Sequence, residues 1–224
     1  MFGNLETLPP DPILGVTAAF RADSHPDKVD LGVGVYRDED GNTPVPAAVR
    51  EAERQVLAAQ SSKTYVGPLG NAEFNERIVA LALGTLAGTL RERTATIQTV
   101  GGCGALRMAA ELLHAASPAS VVHVSDPTWA NHEPLLGNSG IALQRYPYYD
   151  PATRGVAFGR MIEHIERLPA GAVVLLHGSC HNPTGVDLEP AQWQAVADVL
   201  ERRGVVPFVD LAYQGLGDDL ETDV

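Results

Sequence analysis

Val173-Val174-Leu175-Leu176-His177-Gly178-Ser179-Cys180-His181-Asn182-Pro183-Thr184-Gly185 is an apolar run that breaks off into groups able to ligate, bond or attack. An aliphatic segment bounded by turn residues fits a strand buried on both faces, as in parallel sheets covered by helices. Beyond the loop, Pro190–Arg203 carries helical spacing, so the stretch reads as strand, loop and helix. Three chemistries compete for the loop. His177, Cys180 and His181 suggest a metal site, Cys180 beside His181 suggests a thiol nucleophile, and Asn182-Pro183-Thr184-Gly185 suggests a rigid ligand loop.

Working outward, the same alternation repeats. Strands are expected over 94–100, 120–125, 141–146, 172–176 and 205–210, and helices over 105–116, 131–138, 158–168 and 190–203. Gly101-Gly102-Cys103-Gly104 and Tyr148-Tyr149-Asp150-Pro151 read as turns. Five strands with helical crossovers predict an α/β fold, a mostly parallel sheet covered on both faces. Ligands of such sheets bind beyond the carboxyl ends of the strands. Candidate groups therefore belong in the turns after Val100, Ser125, Leu176 and Val209, which is where they cluster.

The first 45 residues carry little regular pattern. Pro9, Pro10, Pro12, Pro26 and Pro44 punctuate them, and Leu31-Gly32-Val33-Gly34-Val35-Tyr36 reads as a short strand or extended turn. A proline-rich arm of this kind lies across a neighbouring domain or subunit more often than it folds alone. Pro44 and Pro46 can open a helix that continues to about Gln60. Residues 63–70 form a loop, and Phe74, Ile78, Leu81 and Ala82 mark a helix weakened by Gly84 and Gly88.

Composition excludes several classes. Net charge is −12, and the 14 arginines and two lysines are scattered without a basic stripe, which argues against nucleic acid. No apolar run approaches the ~20 residues that span a bilayer, and the N-terminus lacks the basic and apolar regions of a signal peptide. Two cysteines are too few for a disulfide framework, so a reducing, cytoplasmic setting is expected.

Each candidate has a plain alternative. The glycine turn is an anion cradle or simply a tight turn; it matches neither a dinucleotide fingerprint nor a P-loop. Trp129 is core or stacks on a ligand ring. Asp210 caps a turn or pairs with a cationic ligand atom. A metal needs three or four ligands, whereas His114, His123, His132 and His164 are dispersed, so no metal is expected. Adjacent residues on extended chain point to opposite sides, which weakens Cys180–His181 as a dyad.

Taken together, six collinear segments resemble the class I aminotransferases of the aspartate and aromatic amino acid type. They are Asp30-Leu31-Gly32-Val33-Gly34-Val35-Tyr36, Thr64-Tyr65-Val66-Gly67, Gln98-Thr99-Val100-Gly101-Gly102-Cys103-Gly104-Ala105-Leu106-Arg107, Pro127-Thr128-Trp129-Ala130-Asn131-His132, His177 to Gly185, and Asp210-Leu211-Ala212-Tyr213-Gln214-Gly215. The resemblance implies the three-layer large domain of the pyridoxal-phosphate-dependent transferases, over 46–224. An N-terminal arm and part of a small domain, 1–45, would precede it. It also implies pyridoxal 5′-phosphate, and a ping-pong transfer of an amino group from aspartate or an aromatic amino acid to 2-oxoglutarate, in a homodimer when full length.

Site roles follow from the resemblance. Asp210 would pair with the protonated pyridine nitrogen, keeping the ring an electron acceptor. Asn182 and Tyr213 would bond the phenolic oxygen, Trp129 would stack on the ring, and His132 would support Asp210. Gly101, Gly102 and Cys103 would hold the phosphate, with Tyr65 reaching the phosphate of the partner subunit. Gly34, Trp129 and Asn182 would lie near the substrate, and the bonds before Pro127 and Pro183 would be cis. The histidines and cysteine of the loop become scaffolding.

There are two departures. Cys103 replaces the usual threonine, exchanging a hydroxyl donor for a weak thiol donor. In the family pattern the Schiff-base lysine, a second phosphate-binding arginine and both substrate-carboxylate arginines lie beyond residue 224, and neither Lys28 nor Lys63 sits in the matching motif. The resemblance thus implies a chain cut off inside its domain and inactive alone, with a non-catalytic fragment that binds cofactor weakly, or pairs with a full-length subunit, as the rival.

Overall fold

The computed structural model describes residues 12–224, apart from Leu31 and Val33 and the side chains of residues 12–14. The chain divides into two compact units between Thr64 and Tyr65. In the first, α1 (Pro12–Ala22) forms where no regular element is expected, and α2 (Ala47–Ala59) forms where Pro44 and Pro46 open a helix. No residue of α2 is buried. Leu31 and Val33 fall outside the described residues, and 34–36 form no strand.

The second unit starts with α3 (Ala72–Leu83), capped by Asn71, whose Oδ1 accepts from the Phe74 N–H at 3.0 Å. Gly84, at φ +49°, ends it, a left-handed value that glycine tolerates. A short 3₁₀ turn, α4 (Ala87–Leu90) and a second 3₁₀ turn follow.

Next come α5 (Gly101–Ala116), β1 (Val121–Asp126), α6 (His132–Gly137), β2 (Ala142–Pro147), the two-residue strands β3 (Tyr149–Asp150) and β4 (Gly155–Val156), α7 (Phe158–Glu166), β5 (Val173–His177), α8 (Pro190–Arg203) and β6 (Val206–Asp210). The main sheet has the order β2-β1-β5-β6, parallel throughout. Helix α8 shows why its borders were legible. Pro190 occupies the first turn, Glu189 and Gln192 form a capping box, and Gly204 closes the helix in the left-handed conformation.

Alternation along the strands builds three layers. Val122, Val124, Val173 and Leu175 pack with Leu106 and Ala110 of α5 and Leu136 of α6. On the other face Tyr146, Val174 and Leu176 pack with Met161 and Ile165 of α7 and with Val196, Val199 and Leu200 of α8. Each fully buried aliphatic side chain contributes roughly 1.5–3 kcal/mol relative to exposure. Among these, Val122, Val174 and Leu175 expose 0% of their surface.

Three expectations are corrected. Residues 94–100 are not a strand, so among the described residues the main sheet has four strands rather than five. Their β-rich composition lacks a neighbouring ladder, and a strand is defined by its partner. The backbone bond that ties them to a distant segment runs from Gln98 N–H to Leu69 C=O at 3.0 Å, and the others they make are to close neighbours along the chain. The helix expected from 105 already includes 101–104: Gly101 turns the chain at φ +62°, and Gly102 to Gly104 belong to the first turn of α5. The turn expected at 148–151 is instead half of an antiparallel hairpin, Tyr149 opposite Val156 and Asp150 opposite Gly155.

Candidate functional site

Parallel strands bring their carboxyl ends to one edge, and the β5–β6 register sets His177 opposite Asp210. There a chain of hydrogen bonds crosses the sheet. The Asn182 backbone N–H lies 3.4 Å from His177 Nδ1, His177 Nε2 lies 3.4 Å from Thr128 Oγ1, Thr128 Oγ1 lies 2.7 Å from His132 Nδ1, and His132 Nε2 lies 2.9 Å from Asp210 Oδ2.

One assignment of protons satisfies all four contacts. With both histidines neutral and protonated on Nε2, each donor meets one acceptor from Asn182 through to the Asp210 carboxylate. Burial pushes the His177 pKa down to about 4, with the neighbouring His132 acting in the same direction, so His177 is neutral at pH 7. His132 is fully buried, while the Asp210 side chain is 21% exposed and presents itself to the edge.

Asn182 and Tyr213 also meet. Asn182 Nδ2 lies 3.4 Å from Tyr213 Oη. Trp129 stands edge-on to His132, with ring centroids 5.4 Å apart, and packs against the core. The Asp126–Pro127 and Asn182–Pro183 bonds are cis. The structure thus gathers Trp129, His132, Asn182, Asp210 and Tyr213 at one edge.

The remaining candidates are placed differently. A short connection joins α5 to the start of β1, which puts the first turn of α5 toward the carboxyl edge. Gly101, Gly102 and Cys103 are exposed there, and no side chain caps the helix start. Tyr65 is fully exposed. Gly34 belongs to the first unit and is exposed.

The metal and nucleophile readings are answered by hydrogen bonds. His181 Nε2 is 2.9 Å from Ser125 Oγ and its Nδ1 is 2.8 Å from Thr184 Oγ1. Burial first, then His177, pushes its pKa down to about 3. Among the described residues no three His, Cys, Asp or Glu converge to hold a metal ion. Cys180 has φ +50°, and burial, then Asp187, raises its thiol pKa, the reverse of what a nucleophilic thiolate requires.

Sequence reasoning missed Thr128, Ser125, Tyr148 and Asp187. The four-residue spacing of Thr128 and His132 is a signal only in hindsight, because the pair lies before and at the start of α6. Tyr148 stacks on His181 at 4.0 Å and 12°, and its hydroxyl donates to the Val186 C=O at 2.6 Å. Burial raises the Tyr148 pKa, so the phenol stays protonated for that bond.

Comparison with known proteins supplies the wider frame. The family model described as "Aminotransferase class I and II" matches residues 26–223. The aromatic-amino-acid aminotransferase of Paracoccus denitrificans is 48% identical over 223 residues, covering 100% of this chain and 56% of its own length. The aspartate aminotransferase of Escherichia coli K12 is 42% identical over 224 residues, 57% of its length. The crystal structure of the Burkholderia pseudomallei aromatic-amino-acid aminotransferase, covalently bound to pyridoxal phosphate, superposes with a TM-score of 0.95 at 43% identity, covering 100% of this chain and 56% of that one. The chain therefore spans about half the length of the curated relatives it matches.

Proposed function

Because the chain belongs to the class I and II aminotransferase family, we propose that its carboxyl edge binds pyridoxal 5′-phosphate within a cytoplasmic homodimeric enzyme. That enzyme moves an amino group from aspartate or an aromatic amino acid to 2-oxoglutarate. The observation that carries the reading is Asp210, a carboxylate oriented by a buried imidazole beside the Asn182–Tyr213 pair.

The donor set fits this cofactor. His132 donates to Asp210 Oδ2, leaving Oδ1 to accept from a protonated pyridine nitrogen. Bound there, the cofactor supplies an electron sink for the amino acid's α-carbon. Asn182 Nδ2 and Tyr213 Oη are donors suited to a phenolate oxygen, and Trp129 offers a ring face. The Gly101 N–H donates to the Thr99 C=O at 2.9 Å, but no side chain caps the first turn of α5 and a Cβ built at Gly102 meets nothing within 4 Å, leaving the backbone there open to a phosphate. Cys103 contributes a weaker donor than a hydroxyl. In this reading Tyr65 would reach the phosphate bound by a partner subunit, and Gly34 would serve the substrate carboxylate. Residues 46–224 constitute the cofactor-binding domain in this reading.

Titrating pyridoxal phosphate into the chain and following its absorbance tests the site. Asp210→Asn is expected to weaken binding at least about tenfold, the loss of one charge-assisted contact; equal affinity for the two proteins would sink the assignment. A second reading, cofactor binding without catalysis by these 224 residues alone, is consistent with the chain covering 56% of the length of the Paracoccus denitrificans relative. The chain by itself is expected to transaminate no faster than free pyridoxal phosphate, and a protein-dependent rate would discard this reading.

A further inference from the structure

We propose that Asp187 is the positioning residue of the site: its carboxylate folds back over the loop and fixes where Asn182 stands. Asp187 Oδ2 accepts from the Cys180 N–H and Oδ1 from the His181 N–H, each at 2.7 Å. These two amides immediately precede Asn182. They point the same way because Cys180 takes φ +50°, a conformation a residue with a Cβ adopts only when its surroundings impose it.

The rest of the loop is tied to the same frame. The His181 C=O accepts from the Gly185 N–H at 2.7 Å, and Gly185 turns the chain at φ +64°. Thr184 Oγ1 joins His181 Nδ1 to the Val186 N–H, and Tyr148 holds Val186 and the His181 ring from outside. Asp187 closes this loop: it is the acceptor that makes left-handed backbone at Cys180 favourable. Its side chain bonds the Cys180 and His181 amides and makes no hydrogen bond to Trp129, Asn182, Asp210 or Tyr213, so it acts through the backbone. The Asn182–Tyr213 contact, at 3.4 Å, depends on that backbone.

This assignment rests on Asn182 being a cofactor contact, yet the geometry is testable without cofactor. In the ¹⁵N-labelled chain, Asp187→Ala and Asp187→Asn are compared with Glu201→Gln, a matched loss of one exposed charge on α8. Two quantities are read: amide exchange at Cys180 and His181, and the nuclear Overhauser effect between the Asn182 side-chain amide and the Tyr213 ring. Asp187→Ala is expected to speed both amides at least about tenfold, roughly 1.4 kcal/mol, and to abolish the Overhauser effect, while Glu201→Gln changes neither. Asp187→Asn, which keeps one acceptor oxygen, should fall between.

Dispersed resonances from β1 and β5 identify variants that retain the fold. An Overhauser effect of undiminished intensity in folded Asp187→Ala, whether or not the amides exchange faster, overturns the proposal. Pyridoxal phosphate is added only afterwards. If the wild-type chain does not bind it, the functional reading fails, but the Overhauser result still decides the role of Asp187. If it binds, the affinity of Asp187→Ala should drop about three- to tenfold.

Discussion

The loop from Ser179 to Asp187 and the first turn of α5 both lie toward the carboxyl edge, and they are built in opposite ways. In the loop, the amides of Cys180, His181, Asn182, Gly185 and Val186 all have partners, and the His181 ring is held at both nitrogens. At α5, Val100 is 93% exposed, Gly101 to Cys103 are exposed, and no side chain caps the helix. The difference teaches where preorganisation resides. Groups suited to an aromatic ring are set in advance by a polar network, whereas the groups suited to a phosphate are a bare helix start whose strength is its open backbone.

The strongest way to break this contrast is to cut the network at its centre. His132→Ala leaves a cavity and strips partners from Thr128 and Asp210, and should cost about 3 kcal/mol in urea unfolding. A loss below about 1 kcal/mol would mean that the network is decorative.

Acid should attack the same side next. The folded-state pKa values of His177 and His181 lie near 4 and near 3, below the ordinary 6.5 of an unfolded histidine. In the window between, the unfolded chain binds more protons, so stability rises with pH and is lost on acidification from 6.5. For the buried His181 the loss is at most about 1.4 kcal/mol per pH unit crossed. A urea midpoint that stays flat from pH 7 to pH 5 would contradict the burial of these rings. His123 and His164, whose ring nitrogens lie 3.0 Å apart, shift in the same direction and add to the trend.

The two cysteines label the two regions. Cys103 is exposed at the helix start, whereas Cys180 is half-buried with its thiol pKa raised. Iodoacetamide at pH 8 should modify Cys103 at least about tenfold faster, as read by mass spectrometry of the two peptides; comparable rates would show an open loop. The smallest effect has the opposite sign. At Gly102 an added Cβ meets nothing and φ is not positive, so Gly102→Ala should raise stability by about 0.4–1 kcal/mol. Thermal unfolding that shows destabilisation instead would mean that this end is packed as tightly as the loop.

Much of this was readable from residue order. Helix α8 carries its own start and stop signals, and β5 is an aliphatic run that could bury itself only between two helical layers. Asp210 and Asn182 are placed by the ends of such runs. Residues 94–100 show the limit: β-branched residues state a preference, but a strand also needs a neighbour, and neighbours are not written locally. The 101–104 glycines erred the other way, read as a turn although their backbone could join the helix.

What the sequence by itself determined is therefore the local grammar: which segments are apolar, at what period, and where glycine and proline interrupt them. Those properties depend on near neighbours along the chain. Only the tertiary structure decided what the polar groups do. Ser125 and His181 are 56 positions apart and 2.9 Å from each other, and His132 reaches Asp210 across 78 positions. A histidine's chemistry follows from burial and from the partner at each nitrogen, and both are properties of the packed chain. That is why His177 and His181 looked like ligands in the sequence and act as neutral, bonded scaffolding in the fold.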